Sequence, residues 1–158
     1  MRKIIMPLIV LLLFSCGKNK KIIFQTDGCY NLEASMLGND FTVFCYIDST
    51  NCTVCDMQWL HLWTYHEEEL KKLKTNVVLI VCNRNEDVIY DAMRELRLNF
   101  PVVFDGFSDI KCKNEIIFNH HSTFVVNNKK EVIFLGIPIR SKGAWNLFRK
   151  TILQHSIF

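Results

Sequence analysis

Cys52 and Cys55 stand two residues apart in the stretch DSTNCTVCDMQW, residues 48–59. An apolar run, FTVFCYI (41–47), lies just before them, and a helical pattern begins just after. Three readings fit two thiols at that spacing: a redox couple, half of a metal site, or two core residues that happen to be close. Placement favours the first. Where a strand gives way to a helix, free backbone N–H groups and the helix dipole favour an anion. A thiolate there is stabilised and its pKa falls. Cys55 follows at about one helical turn, close enough to attack or pair with Cys52. The outer sulfur is then the nucleophile and the inner one resolves the mixed disulfide.

The elements that must position this pair follow from periodicity. FTVFCYI is apolar almost throughout, which suits a strand covered on both faces. From Thr53 to Leu73 the pattern is helical, with Trp59, Leu62, Trp63, His66, Leu70 and Leu73 at three- and four-residue steps. Glu67–Lys71 and Glu68–Lys72 fall at favourable helical spacing on its solvated face. VVLIVCN (77–83) is a second buried strand. Residues 85–99 read as a helix capped by Asn85, with Val88, Ile89, Ala92, Met93 and Leu96 on one face. A short strand opened by proline (100–105) and a short helix within 108–118 come next. Two strands within 122–136 are joined by the turn Asn127-Asn128-Lys129-Lys130. A last helix, Gly143–His155, carries Trp145, Phe148, Ile152 and Leu153 on its apolar side. KIIFQ (21–25) reads as a short first strand. Strands alternating with helices imply a mainly parallel sheet, and the terminal hairpin adds antiparallel strands.

The chain has 158 residues, 49% hydrophobic and 22% charged, which fits one globular domain rather than a disordered chain. Its N-terminus, MRKIIMPLIVLLLFSCGKNKK, opens with Arg2 and Lys3 and continues in an apolar run from Ile4 to Phe14. That run is too short to span a bilayer and matches the core of a secretory signal. It ends in Ser15-Cys16-Gly17 and so resembles a bacterial lipoprotein signal. Residues 1–15 are then the signal peptide, Cys16 the lipidated mature N-terminus, 16–21 a polar tether and 22–158 the folded domain. Without Arg2 and Lys3 there are 17 basic against 16 acidic residues, a net charge of +1. Such a balance gives no electrostatic reason to expect nucleic acid.

Export places the remaining cysteines where disulfides persist. Cys45 and Cys82 sit inside strand-like runs and read as buried small hydrophobes. Cys29 and Cys112 lie in loop-like contexts, and pairing with each other or staying as thiols are both open.

Three stretches together resemble the thioredoxin-like fold, and more closely the membrane-tethered TlpA/ResA-like reductases of bacteria. They are FTVFCYIDSTNCTVCDMQW as strand, loop and CxxC-capped helix, LNFPVVFD as the strand after the second helix, and HSTFVVNNKKEVIFLG as the closing hairpin. The resemblance runs from about Lys21 to the C-terminus, and short lipid-anchored members of this kind are familiar from Bacteroidetes. It implies an α/β three-layer sandwich with a central mixed sheet flanked by helices. It also implies dithiol–disulfide exchange by Cys52 and Cys55, and a substrate-docking segment at His121, Ser122 and Thr123. The resemblance further implies that clients are proteins with disulfides or thiols, that a membrane redox partner resets the couple, and that no dissociable cofactor is required. With the signal sequence it implies a location in the cell envelope, on the periplasmic side of the inner or outer membrane.

The chain departs from the family pattern at three places. Asn51 replaces an aromatic residue before the first cysteine, and Asp56, whose charge opposes a thiolate, follows the second. Ser122 stands where the family has a cis-proline. A cis bond without proline costs about 3–4 kcal/mol, so a trans bond is expected there. Loss of that proline opens a rival reading, in which Cys52, Cys55 and His121, with His120 beside it, hold Cu(I) or Zn(II). A non-catalytic adaptor is the third reading. His61 and His66, five residues apart, are poor partners for a metal, and His155 lies near the end. Trp59 and Trp63 read as packing residues, and Asp105 as a structural turn residue.

Overall fold

In the computed structural model of the chain, the residues described are 21, 39–48, 57–83, 85–106, 108–114 and 123–156. Strand β1 (Phe41–Ile47) buries all seven of its side chains. A strand apolar on both faces needs a packed layer above and below it. The sheet meets that need by placing β1 at its centre, in the order β3-β2-β1-β4-β5. β1 pairs in parallel with β2 (Thr75–Val81) and antiparallel with β4 (Thr123–Asn127). β3 (Val102–Phe104) extends the parallel side, and β5 (Val132–Leu135) closes the hairpin on the other. Of the expected first strand only Lys21 is described, and it bridges Glu131 beside β5.

The steps from β1 to β2 to β3 run in one direction, so right-handed crossovers put both connecting helices on one face. The first crossover is a 3-10 helix (Gln58–His66) running into α1 (Glu67–Lys72), and the second is α2 (Glu86–Glu95). The C-terminal helix α4 (Lys142–His155) joins them. Trp63, Leu70, Ile89, Met93, Trp145, Phe148 and Ile152 pack there on Val43, Cys45, Ile47, Leu79 and Val81. On the opposite face, Ile110 of the short helix α3 (Asp109–Lys113) packs with Phe44, Tyr46, Val78, Ile80, Val103 and Phe124. Phe44 and Phe124 stack across the strand pair at 5.3 Å. This is the expected three-layer sandwich, a mixed sheet with helices on both faces.

Four details differ from the sequence reading. The first helix is 3-10 rather than α over Gln58–His66. Buried Met57, just ahead of it, and its buried Leu60 and Trp63 recur every third position, which matches three residues per turn. The expected ion pairs four apart are replaced by Lys71–Glu68, three apart at 2.9 Å and exposed. Val88 and Leu153 are 43% and 51% exposed. Each sits one residue away from a buried neighbour, Ile89 or Ile152, and one residue turns a helix by about 100°, out of the apolar stripe. The Asn85 cap forms as expected, its side chain accepting from the Val88 N–H at 3.4 Å. The hairpin turn forms too, with Asn127 Oδ1 accepting from the N–H groups of Lys129 and Glu131.

Candidate functional site

The parallel strands β1, β2 and β3 end at one edge of the sheet, at Ile47, Val81 and Phe104. β4 runs the other way, so it begins at that same edge, with Thr123 opposite Cys45. Segment 49–56, which carries Cys52 and Cys55, joins Asp48 to buried Met57 there. Segment 115–122, which carries His120, His121 and Ser122, enters the sheet at Thr123. Topology therefore attaches both stretches to one edge, where ligand sites of open α/β sheets collect. Cys16, Cys29, Cys52, Cys55, His120, His121 and Ser122 lie outside the described residues. The metal set Cys52, Cys55 and His121 lies outside them as well. Among the described residues no group of three or more His, Cys, Asp and Glu is placed to hold a metal ion.

Thr123 is the one expected site residue that is described, and it is fully buried. It shares its surroundings with Cys45 of β1 and Trp63 of the 3-10 helix, both also fully buried. Burial pushes the Cys45 thiol up to about 12, with the Thr123 hydroxyl and the Trp63 indole beside it pulling the other way. Neither Thr123 Oγ1 nor Trp63 Nε1 has a partner in normal hydrogen-bond geometry. Cys45 is thus a core thiol, as expected, and cannot act as a nucleophile at neutral pH. Trp63 is a packing residue, edge-on to Trp145 at 6.4 Å. His66 stacks on Trp145 at 3.8 Å, and the Trp145 indole donates to Glu69 at 2.9 Å. His66 is therefore committed to the helix packing rather than to a ligand.

A polar cluster occupies the same edge on the other face. Asp105 is fully buried just past β3. Its carboxylate accepts from the N–H groups of Ile110 at 3.2 Å and Lys111 at 3.4 Å, and from the Tyr46 hydroxyl at 3.4 Å. The structural role expected for Asp105 is accordingly the capping of α3, which supplies the hydrogen bonds a buried carboxylate requires. Cys82 Sγ lies 2.9 Å from Ser108 Oγ. The Tyr46 hydroxyl, in the same group, is pushed upward, first by burial and further by the nearby Asp105 and Cys82. Lys111 pairs with Asp48, the last described residue before the Cys52–Cys55 segment. The Asp48 carboxylate holds the Lys111 ammonium above its usual range.

Cys82 is expected in the core, and it is buried, 5% exposed, in the apolar cluster with Phe44, Val78 and Ile80, with the Ser108 hydroxyl as a polar neighbour. A contact between residues 26 apart leaves no trace in local periodicity. The pattern Asp105-Gly106 before Ser108-Asp109 was the available hint of a helix start with acidic capping.

Residues 21–135 match the model of the AhpC/TSA family. No curated protein matches the chain. Among solved structures, the chain is similar to the thioredoxin domain of a thiol-disulfide oxidoreductase from Bacteroides vulgatus, with a TM-score of 0.57 and 14% identity. That similarity covers 75% of this chain and 84% of the other. A putative thiol:disulfide interchange protein DsbE from Chlorobium tepidum matches at TM-score 0.55 and 14% identity, over 77% and 83% of the two chains. The bacterioferritin comigratory protein of Xanthomonas campestris, which has alkyl peroxide reduction activity, matches at 0.54 and 12%, over 74% and 81%. At these identities the likeness is one of fold, and the fold is thioredoxin-like.

Proposed function

Because the chain belongs to the AhpC/TSA family, we propose that it is a thiol–disulfide oxidoreductase, lipid-anchored at Cys16, that faces the periplasm and works through Cys52 and Cys55. The observation that carries this reading is topological. The CxxC segment hangs between the end of the central strand at Asp48 and buried Met57, and the segment ending at Ser122 joins that same sheet edge. The thiol–disulfide enzymes among the fold neighbours agree with it. In the reducing direction, the Cys52 thiolate attacks a client disulfide and expels one client thiolate, which takes up a proton. Cys55 then loses its proton and attacks the Cys52 sulfur. The second client thiol leaves, and a Cys52–Cys55 disulfide remains. A membrane partner returns the couple to its starting state, and His121 and Ser122 border the docking position, with Thr123 next to them buried in the sheet.

A Cys55→Ser variant tests the reading. It is expected to trap client proteins as mixed disulfides on Cys52, and the parent chain is expected to reduce insulin faster than background. No adduct together with background insulin reduction would overturn the proposal. The alkyl peroxide reduction of the Xanthomonas protein gives a second reading, in which a peroxide is the substrate. Consumption of an alkyl hydroperoxide that depends on Cys52, without insulin reduction, would favour it instead.

A further inference from the structure

Exposed cations gather at the end of the sheet opposite the CxxC segment. β1, β2 and β3 begin there and β4 ends there, at Phe41, Thr75, Val102 and Asn127. Lys72 closes α1, Lys74 leads into β2, Arg97 follows α2, and Lys129 sits in the β4–β5 turn, each exposed. Asp40, Glu95 and Glu131 stand among them, and Asp40 pairs with Lys74 at 3.3 Å. Helix chemistry explains part of this pattern, because a cation suits a helix C-terminus. It does not explain Lys129, which lies in a hairpin turn. Lys74 and Arg97 also hold left-handed angles, φ 48° and 53°, at positions after a helix where glycine is usual.

The same end receives the tether. Lys21 bridges Glu131, just before β5. Cys16 lies five positions ahead of Lys21, so a lipid carried there joins the chain within about 18 Å of it. Helix α4 reaches this end too. Its Trp145 meets Trp63, and further along Arg149 pairs with Glu69 of α1 at 2.5 Å, so its last turns come level with the end of α1. There Leu153 is 51% exposed and lines a shallow hollow with Lys150 on the outer face. Residues 138–156 hold Arg140, Lys142, Arg149 and Lys150 and no Asp or Glu. We propose, on the basis of the Cys16 anchor above, that this end of the domain docks on the anionic phospholipid headgroups of the membrane that holds the chain. Lysine and arginine meet headgroup phosphates, and Leu153 enters the boundary beneath them. β1 spans about 20 Å from this end to the CxxC edge, so docking holds the motif out toward its clients.

The test places the full chain in phosphatidylglycerol vesicles that contain a diazirine phospholipid. After illumination, peptide mapping locates the label and also reads whether Cys16 carries lipid. Label is expected on the peptides that hold Lys72, Lys129 and Leu153. Each cation near an anionic surface strengthens binding about five-fold. The label is therefore expected to fall at least about five-fold in phosphatidylcholine vesicles, in high salt, or in Lys72→Glu combined with Lys129→Glu. That variant is expected to keep the parent's urea midpoint, since both side chains are exposed. Lipid on Cys16 with no label on these peptides would overturn the docking face and leave the anchor standing. Label on them without lipid on Cys16 would support the docking face and overturn the anchor. Equal label in phosphatidylcholine, label at the CxxC edge instead, or a link between two copies through this end would each overturn the docking.

Discussion

The two faces of the sheet hold their buried cysteines in opposite ways. Cys45 looks into the layer under the 3-10 helix, α2 and α4, a dry assembly built on Trp63, Trp145 and Phe148. Cys82 looks into the other layer, where Tyr46, Ser108 and Asp105 supply hydroxyl and carboxylate groups. The first face is held by apolar area and by rings packed edge-on or tilted. The second satisfies polar groups that would each cost free energy if left alone. A thiol under helices that are tightly packed becomes inert, while a thiol at a capped helix start keeps polar company. The difference is one of neighbours, since both side chains are buried to a similar degree.

That contrast makes measurable predictions. Trp63→Ala empties the largest fully buried side chain of the dry face, at an expected cost of about 3–5 kcal/mol in a urea titration. A loss much smaller than any polar-face variant would show that the apolar layer is not the main source of stability. Asp105→Ala removes the side-chain acceptor of the Ile110 and Lys111 N–H groups and one of the partners of the Tyr46 hydroxyl, and is expected to cost about 1–3 kcal/mol. Accelerated amide exchange confined to α3 would accompany it, whereas uniform acceleration would contradict the capping role.

Alkali probes the thiols themselves. The folded pKa of Cys45 is raised to about 12 from 9.0, so the unfolded chain releases this proton first as pH rises. The thiol's contribution is fully present below pH 9.0 and is lost as pH climbs toward 12, with a slope of about 1.4 kcal/mol per pH unit. Cys45→Val is expected to remove that part of the alkaline loss, leaving the part due to Tyr46, whose pKa is also raised. An unchanged alkaline profile in Cys45→Val would refute the assignment. The smallest effect belongs to Lys111→Met. The Lys111 and Asp48 side chains are 38% and 25% exposed, so solvent screening limits the pair to about 1 kcal/mol or less, shrinking further in salt. A larger, salt-independent loss would mean that the pair braces the segment after Asp48.

Much of this organisation is written in local pattern. FTVFCYI and VVLIVCN each carry apolar residues on both faces, so only a central, doubly covered strand suits them, and both became one. Asn85 and the Asn127–Lys130 turn act through side chains a few residues from the groups they satisfy, which is why they could be read directly. The spacing of Cys52 and Cys55, and their place after β1, is likewise a property of the chain alone.

Tertiary structure decided what lay beyond that reach. A helix was legible after the motif, but its 3-10 winding follows from which residues the sheet and α4 accept, Met57, Leu60 and Trp63 at every third position. Cys45 and Cys82 look alike in sequence, each a small thiol in a branched, apolar run. The pleat sends one to each face, and partners far away in the chain, Trp63 and Thr123 for one and Ser108 for the other, settle their chemistry. Periodicity encodes which way a side chain points, while the company it meets depends on how distant segments cross.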